Sequence, residues 1–362
     1  MKIVVIGGGV IGLSCAWRLG ARGARVTVLE RRRCGAGATL ASLGALWPPS
    51  ALARGPLQQW HRECLRRFAR FAAEAERASG MPVPMKRGGR LEILTSVAAA
   101  ERARQEAEAA CGEWSGWPTG EGPIQQYVEA GETERRLGIA APFGALRCEA
   151  TAQVHVPSLV RGLVAACAAE RVEIREGIEA DRLKVEGGRV RGVETSTGSV
   201  SADAVLLCAG AWASAVGGEE AMVRPAKGQG IAVAVSERDA PGCILKRGPI
   251  YLVPWPERGE VLVGSTTEPE AGFDETPTEE ARRMLLEGAT ALWPGLDGAK
   301  VVRHWGGLRP DGPKHRPIMR ASEEMRGLWI CCGHYKTGIG MAGETGALMA
   351  GAMLRGETLP VF

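Results

Sequence analysis

Residues 2–30 run Lys2-Ile-Val-Val-Ile6, Gly7-Gly-Gly9-Val-Ile-Gly12, Leu13-Ser-Cys-Ala-Trp-Arg-Leu19, and close after Gly23 with Arg25-Val-Thr-Val-Leu29-Glu30. The first run is β-branched without alternation, as a strand buried on both faces of a parallel sheet must be. A glycine motif alone is a weak signal. Strand, G-x-G-x-x-G, helix, strand and acidic residue in one unit specify a dinucleotide-binding turn. Gly7 permits the tight turn, Gly9 lets backbone approach a pyrophosphate, and Gly12 lets helix and strand pack closely. The helix N-terminus, with Val10 and Ile11, faces the phosphates. Glu30 closes the second strand, where it can accept hydrogen bonds from a ribose.

Glu30 would serve NAD or FAD. Arg31-Arg-Arg33 and then Cys-Gly35-Ala-Gly37-Ala-Thr39-Leu-Ala-Ser42-Leu43-Gly44-Ala-Leu46 follow it. A long loop of small residues suits wrapping a large cofactor better than a direct return to the sheet, which favours FAD. The arginine run reads either as a solvated face or as a cofactor contact. Trp47-Pro-Pro49 reads as a wall of the site or as a stiff surface loop.

Composition is that of a folded globular protein and rules out disordered, collagenous and low-complexity classes. Of 362 residues, 45% are apolar and 24% charged, and the net charge of +4 is too small to indicate nucleic acid. Gly reaches 50 residues, so many backbone positions need space or left-handed geometry. The ten cysteines show no zinc spacing, and no metal is expected; their scatter points to a reducing compartment and a cytoplasmic protein. No secretory signal is apparent. The longest nearly apolar stretch, 204–218, is too short and glycine-rich to span a bilayer. Cys331-Cys332 reads as a buried strand end rather than a redox pair.

Farther along, 59–78, 97–110, 157–170, 278–292 and 338–354 read as helices. Strands are expected at 90–95, 172–174, 202–207, 229–235, 249–254, 260–265 and 328–331, with a hairpin over 183–195 turning at Gly187-Gly188. The expected fold is α/β. A discontinuous Rossmann-like domain of glutathione-reductase type (1–84, 150–222 and 322–362) carries an inserted substrate domain (85–149 and 223–321). The insert is a mixed antiparallel sheet with helices on one face.

Several segments then recur in a familiar order: Val154-His-Val-Pro157, Val205-Leu-Leu-Cys-Ala209-Gly210-Ala-Trp212, Arg224-Pro-Ala-Lys-Gly228-Gln229, Tyr251-Leu-Val-Pro254, Val263-Gly-Ser-Thr266, Gly307-Leu-Arg309-Pro310 and Gly333-His334-Tyr-Lys336-Thr337-Gly338-Ile339-Gly340. With these, the chain resembles the glycine oxidase and D-amino-acid oxidase family of FAD-dependent amine oxidoreductases, and best its glycine oxidase branch. The resemblance implies FAD contacts at Gly7, Gly9, Val10, Ile11, Gly12, Glu30, Arg31, Thr39, Leu43, Gly44, Leu46 and Ile178. It implies further contacts at Ala209, Gly210, Trp212, Arg309, His334, Lys336, Thr337, Gly338, Ile339 and Gly340.

Two departures stand out. Lys336-Thr337 replaces the branch's usual Arg-Asn and is similar to the lysine of monomeric sarcosine oxidases, which helps hold the substrate carboxylate. Lys314 replaces an aspartate. Sarcosine oxidases also carry a flavin-linked cysteine near Gly-Leu-Arg-Pro; Leu308 stands in that place, which implies non-covalent FAD.

Amine oxidation asks the protein mainly for positioning. A substrate carboxylate needs a fixed cation, and arginine offers the best fork. Arg309, expected at a strand end before Pro310, is the catalytic-site candidate for that role. By resemblance the Tyr251 hydroxyl joins it. Lys336 is a second carboxylate contact or a flavin contact. His334 lies near the flavin or is a packed structural histidine. The N-terminus of the Gly338 helix would face the anionic end of a reduced flavin.

The leading expectation is oxidative deamination of glycine or a related small amine acid (sarcosine, an N-substituted glycine or a D-amino acid), with O2 as acceptor and H2O2 as product. Alternatives are a dehydrogenase serving a quinone or protein acceptor, a non-catalytic FAD-binding protein and a NAD dehydrogenase. No nucleic-acid partner and no transmembrane segment are expected; assembly into a homo-oligomer stays open.

Overall fold

The computed structural model describes residues 1–113 and 124–362. Its organising element is a six-stranded sheet in the order 318–321, 328–332, 204–207, 2–6, 25–30, 173–176. All pairs are parallel except the edge pair of Ile318–Ala321 with Leu328–Cys332. Strand Lys2–Ile6 is central and buried on both sides. Ile3 and Val5 face helices Val10–Gly20, Val156–Ala169 and Gly338–Arg355. Val4 and Ile6 face a three-stranded antiparallel meander, Ala180–Glu186, Arg189–Thr195 and Gly198–Ser201. Each buried aliphatic side chain contributes roughly 1.5–3 kcal/mol, so both covers are needed. The hairpin forms as expected around Gly187-Gly188; its third strand was not anticipated.

Glycines let these helices approach closely. A Cβ on Gly346 would lie 2.7 Å from the Ser14 carbonyl oxygen, and one on Gly343 would lie 2.6 Å from the Phe71 ring. The helix expected at 59–78 spans Pro56–Ser79, with Pro56 at its first turn and Gly80 closing it in left-handed geometry.

The second sheet has eight strands, ordered 301–311, 224–234, 260–264, 250–255, 244–247, 90–93, 145–148, 125–128. It is antiparallel except where Ile244–Arg247 runs parallel to Arg90–Ile93. Alternation sorts its faces. Leu245, Leu252 and Val263 pack under helix Glu279–Leu292. Tyr251, Val253, Trp255 and Leu262 face Leu43 and Trp47 of the nucleotide-binding part. Helices were expected on one face only. Helix Val97–Glu113 instead packs Ala100 and Ala103 against Leu146, which alternates with the oppositely directed Ala145.

Two strands outrun their expected limits. Arg224–Ala234 and Val301–Asp311 pair along nearly their whole length, through Pro225 opposite Pro310. Residues 301–311 form the sheet edge, where a missing N–H costs no ladder bond. Arg309 therefore lies within a strand, not at its end. Because Ile318–Ala321 joins the nucleotide sheet, we place the proposed domain boundary ahead of residue 318 rather than after 321. Nine described cysteines are free thiols, and the Cys111 side chain lies outside the described residues. No helix of the described residues is long and apolar enough to cross a membrane.

Candidate active site

One cavity of about 860 Å³ runs between the two sheets. Its nucleotide end is built around the first turn. Gly7 has φ +106°, and a Cβ there would overlap the Cys208 carbonyl. Its N–H bonds to Leu29 O at 2.8 Å. The Thr39 hydroxyl accepts from Val10 N–H at 3.0 Å and pins the 38–41 helix to the turn. Glu30 accepts from Gly8 N–H and Arg32 N–H, each at 2.8 Å, so its carboxylate is fixed at the strand end. The Arg31 guanidinium stacks 3.6 Å from the centroid of the Trp212 ring.

Gly7, Gly9, Val10, Ile11, Glu30, Arg31 and Thr39 line this end, together with Ile178, Ala209, Gly210 and Trp212. These groups fit an adenine dinucleotide. The helix N-terminus, with Gly9 and Ile11 on the wall, faces the phosphate position, the Gly7 cradle has no room for a side chain, and an anchored carboxylate stands at the ribose position.

Gly12 and Gly44, expected as FAD contacts, do not line the cavity, and Gly12 keeps only its expected packing role. A Cβ on Gly12 would overlap the Gly7 carbonyl, and one on Gly44 (φ +79°) the Val154 carbonyl. Both are packing glycines that shape the site from behind. Gly340 lines the wall, but a Cβ there would lie 2.7 Å from Leu65; helix packing, more than cofactor approach, demands glycine there.

The opposite end collects side chains from distant segments. Leu43, Leu46 and Trp47 come from the long loop, whereas Pro48 and Pro49 are not on the wall. Trp47 meets Tyr251 edge-on, 5.2 Å between centroids. Burial raises the Tyr251 pKa, so the phenol stays protonated and able to donate. Arg309 donates to Lys227 O (3.2 Å), Ser265 Oγ (3.0 Å) and Thr266 O (3.1 Å). All three acceptors are neutral, and two of its five N–H donors remain for a ligand. The guanidinium lies against Gly228, whose Cβ position it would occupy.

Lys336 Nζ reaches Thr267 Oγ1 at 3.4 Å. Burial and the Arg309 charge lower its pKa, against the pull of Asp311. His334 is buried, with Nε2 3.3 Å from Thr345 Oγ1, and burial holds its pKa near 4, so it is neutral. It lines the cavity as well as packing against the last helix, so both expected roles are compatible. Thr337, Gly338 and Ile339 bring that helix's N-terminus to the same wall.

Lys246 and Thr267 were missed, and Gly228 and Ser265 were quoted without a role. Ser265-Thr266-Thr267 offered a signal, three consecutive hydroxyls after a strand. Lys246 offered none, since its place follows from strand pairing opposite Tyr251. Behind the hydroxyls, buried Lys227 lies 3.8 Å from Glu268 and 3.7 Å from Asp274, and Glu268 also accepts from Gln229 and Thr266. This network holds the loop that orients Arg309.

Residues 2–352 match the FAD dependent oxidoreductase (DAO) family. A glycine oxidase of Pseudomonas putida is 33% identical over 348 residues, which cover 94% of this chain and 91% of that one. The crystal structure of a Bacillus cereus glycine oxidase superposes with a TM-score of 0.88 at 25% identity, over 99% of this chain and 96% of that one. That of Geobacillus kaustophilus glycine oxidase gives 0.87 at 27%, with the same coverage. The chain belongs to the DAO family of FAD-dependent oxidoreductases, and its cofactor is non-covalent FAD.

Proposed function

We propose that this family member oxidises a small amine acid of the glycine, sarcosine or D-amino-acid type to the imine, in the cytoplasm, with O2 as the final acceptor. Water then hydrolyses the imine to an oxo acid and ammonia or an amine, and the two electrons and two protons leave as H2O2. The observation that carries this reading is Arg309. It is a partly buried guanidinium on the wall of the FAD cavity, bonded among the described residues only to neutral acceptors. Such a group wants an anion, and a carboxylate matches its remaining donors.

Bound FAD supplies the two-electron acceptor. The protein's task is orientation. Arg309 fixes the carboxylate, and the protonated Tyr251 hydroxyl donates a further hydrogen bond to it. Trp47 packs beside Tyr251 and excludes water from that wall. Arg309 and Lys336 place positive charge around the amine, which disfavours the ammonium and favours the neutral amine that must react. His334 is neutral and adds no charge.

The test is peroxide release from the FAD-loaded protein across glycine, sarcosine, other N-alkylglycines and D-amino acids, alongside anaerobic bleaching of the flavin. Bleaching and peroxide with at least one amine acid are expected. Bleaching with dye turnover but no peroxide would assign a quinone or protein acceptor instead. No bleaching by any amine acid would overturn the proposal.

A further inference from the structure

Charge is divided unevenly along the cavity wall. The lining carboxylates are Glu30, Glu179 and Asp181, and all belong to the nucleotide end, where Ile178 N–H bonds to Glu30 O. At the opposite end the charged lining residues are Arg309, Lys336 and Lys246. Lys246 is neutralised by its ion pair with Glu92. Arg309 and Lys336 have no carboxylate in ion-pair contact among the described residues; their hydrogen-bond partners are hydroxyls and carbonyls, and Lys336 Nζ also lies 5.2 Å from the centroid of the Tyr335 ring. Asp311 is the acid that bears on Lys336, but it accepts from His315 Nδ1 at 2.7 Å and is not on the wall.

Both charges rest on one short loop. Ser265 and Thr266 accept from Arg309, and Thr267 accepts from Lys336. Two residues of chain span at most about 7 Å, comparable with the separation of the acid groups in a small dicarboxylate. The backbone holds Lys336 there deliberately. Tyr335 has φ +47°, rare for an aromatic residue. Its N–H bonds to Pro310 O at 2.8 Å, and its ring stacks on His315 at 4.8 Å.

A single carboxylate occupies the two free donors of Arg309 and leaves Lys336 beside a like charge with no carboxylate in contact. We propose that the preferred substrate is an amine acid bearing a second acid group, with one carboxylate on Arg309 and the other on Lys336. The proposal rests on the amine-acid reading above. The second acid can stand on the nitrogen substituent or on the side chain, and matched acid–amide pairs separate the two.

The experiment is anaerobic flavin reduction by the FAD-loaded protein with iminodiacetate against its monoamide, and with D-aspartate against D-asparagine. Glycine and sarcosine serve as references. In at least one pair the acid should exceed the amide in kcat/KM by about fivefold or more, the scale of a partly exposed charge pair. Lys336→Met and Lys336→Gln should collapse that ratio toward one, and Lys336→Arg should restore it. The ratio is the readout because a change in folding or flavin content affects both members of a pair.

Binding is measured separately with glutarate and its monoamide, which lack the amine, by perturbation of the flavin spectrum. Glutarate should bind about fivefold tighter, and less so in Lys336→Met. If both pairs show no preference for the acid while glycine or sarcosine reduces the flavin, the second-acid proposal is overturned and the amine-acid reading stands. An acid preference that survives Lys336→Met also overturns it. If no amine acid reduces the flavin, the amine-acid reading itself falls, and this proposal with it.

Discussion

The two ends of the cavity are made differently. The nucleotide end is mostly backbone, and its turn, helix terminus and Glu30 come from one stretch, residues 2–30. The substrate end is mostly side chain, drawn from residues near 43–47, 228, 246–251, 265–267, 309 and 336. A backbone site demands glycines at fixed short spacing. A side-chain site demands only that particular strands pair in a particular register. The first leaves a signature within a window of sequence, and the second does not.

The sharpest way to break this comparison is to damage each end alone. Gly7→Ala puts a Cβ into the Cys208 carbonyl at φ +106°, and L-residues avoid that region. The expected result is near-complete loss of FAD, read as the flavin-to-protein absorbance ratio, with activity lost in proportion. Arg309→Ala should do the reverse. Truncating one member of a desolvated charged pair costs roughly 2–5 kcal/mol, which is a loss of about 30- to several-thousand-fold in kcat/KM, while FAD content stays near wild type. Loss of flavin in Arg309→Ala, or full flavin in Gly7→Ala, would erase the distinction between the ends.

The same contrast explains what could be read in advance. Gly7, Gly9 and Glu30 were legible because strand, turn and acid lie within one βαβ unit. Gly12 was read correctly as the glycine that lets helix and strand pack, whereas Gly44 packs against the Val154 carbonyl, and sequence marks that a glycine is needed there, not which atom would strike its Cβ. Arg309 and Tyr251 were reached through resemblance, since nothing local distinguishes a lining Tyr251 from the core Leu252 beside it. Lys246 was unreadable because its position depends on strand pairing on both sides, with Tyr251 in the next strand and with Glu92 in a strand far earlier in the chain. Prolines misled as well. Pro310 argued for a strand end, and only the edge position of 301–311 removes that objection.

A subtler substitution targets the support of the substrate end. Gly228 has no left-handed requirement; it is small because the Arg309 guanidinium lies where its Cβ would be. Gly228→Ala should push that guanidinium off Ser265 and Thr266. A misplacement of about 1 Å can cost on the order of 100-fold, so kcat/KM should fall by about 10- to 100-fold with FAD content and melting temperature little changed. If Gly228→Ala behaves as wild type, Arg309 is not held there in the working enzyme.

Acid stability compares the buried histidines that border both regions. His61 and His334 are both held near pKa 4 by burial, against an ordinary value of 6.5. Each is neutral when folded and takes up a proton on unfolding below pH 6.5. Stability should therefore fall as pH drops from 6.5 toward 4, by about 1.4 kcal/mol per pH unit for each group. Urea midpoints of the FAD-loaded protein at pH 4.5, 5.5, 6.5 and 7.5 test this. His334→Gln should remove His334's own share of that slope and leave the shares of His61 and of His155, which burial also holds near 4.

The smallest effect separates the two cations of the substrate end. Arginine keeps its charge throughout the accessible pH range. Lys336 does not, because burial and Arg309 both lower its pKa from 10.5. The neutral amine is the reactive form, so flavin reduction at subsaturating substrate should rise from pH 6 as the free substrate deprotonates. A Lys336 that binds an acid group in its charged form then imposes an opposite trend. Above its lowered pKa that charge is lost, and the rate for an acid-bearing substrate should fall by a few-fold. Amide-bearing substrates should show the rise without the fall, because they ask nothing of the charge. In Lys336→Arg the falling limb should move beyond the measurable range. A falling limb that is the same for acid and amide, or that persists in Lys336→Arg, would assign the titration to another group and leave Arg309 as the cation whose charge matters to the substrate.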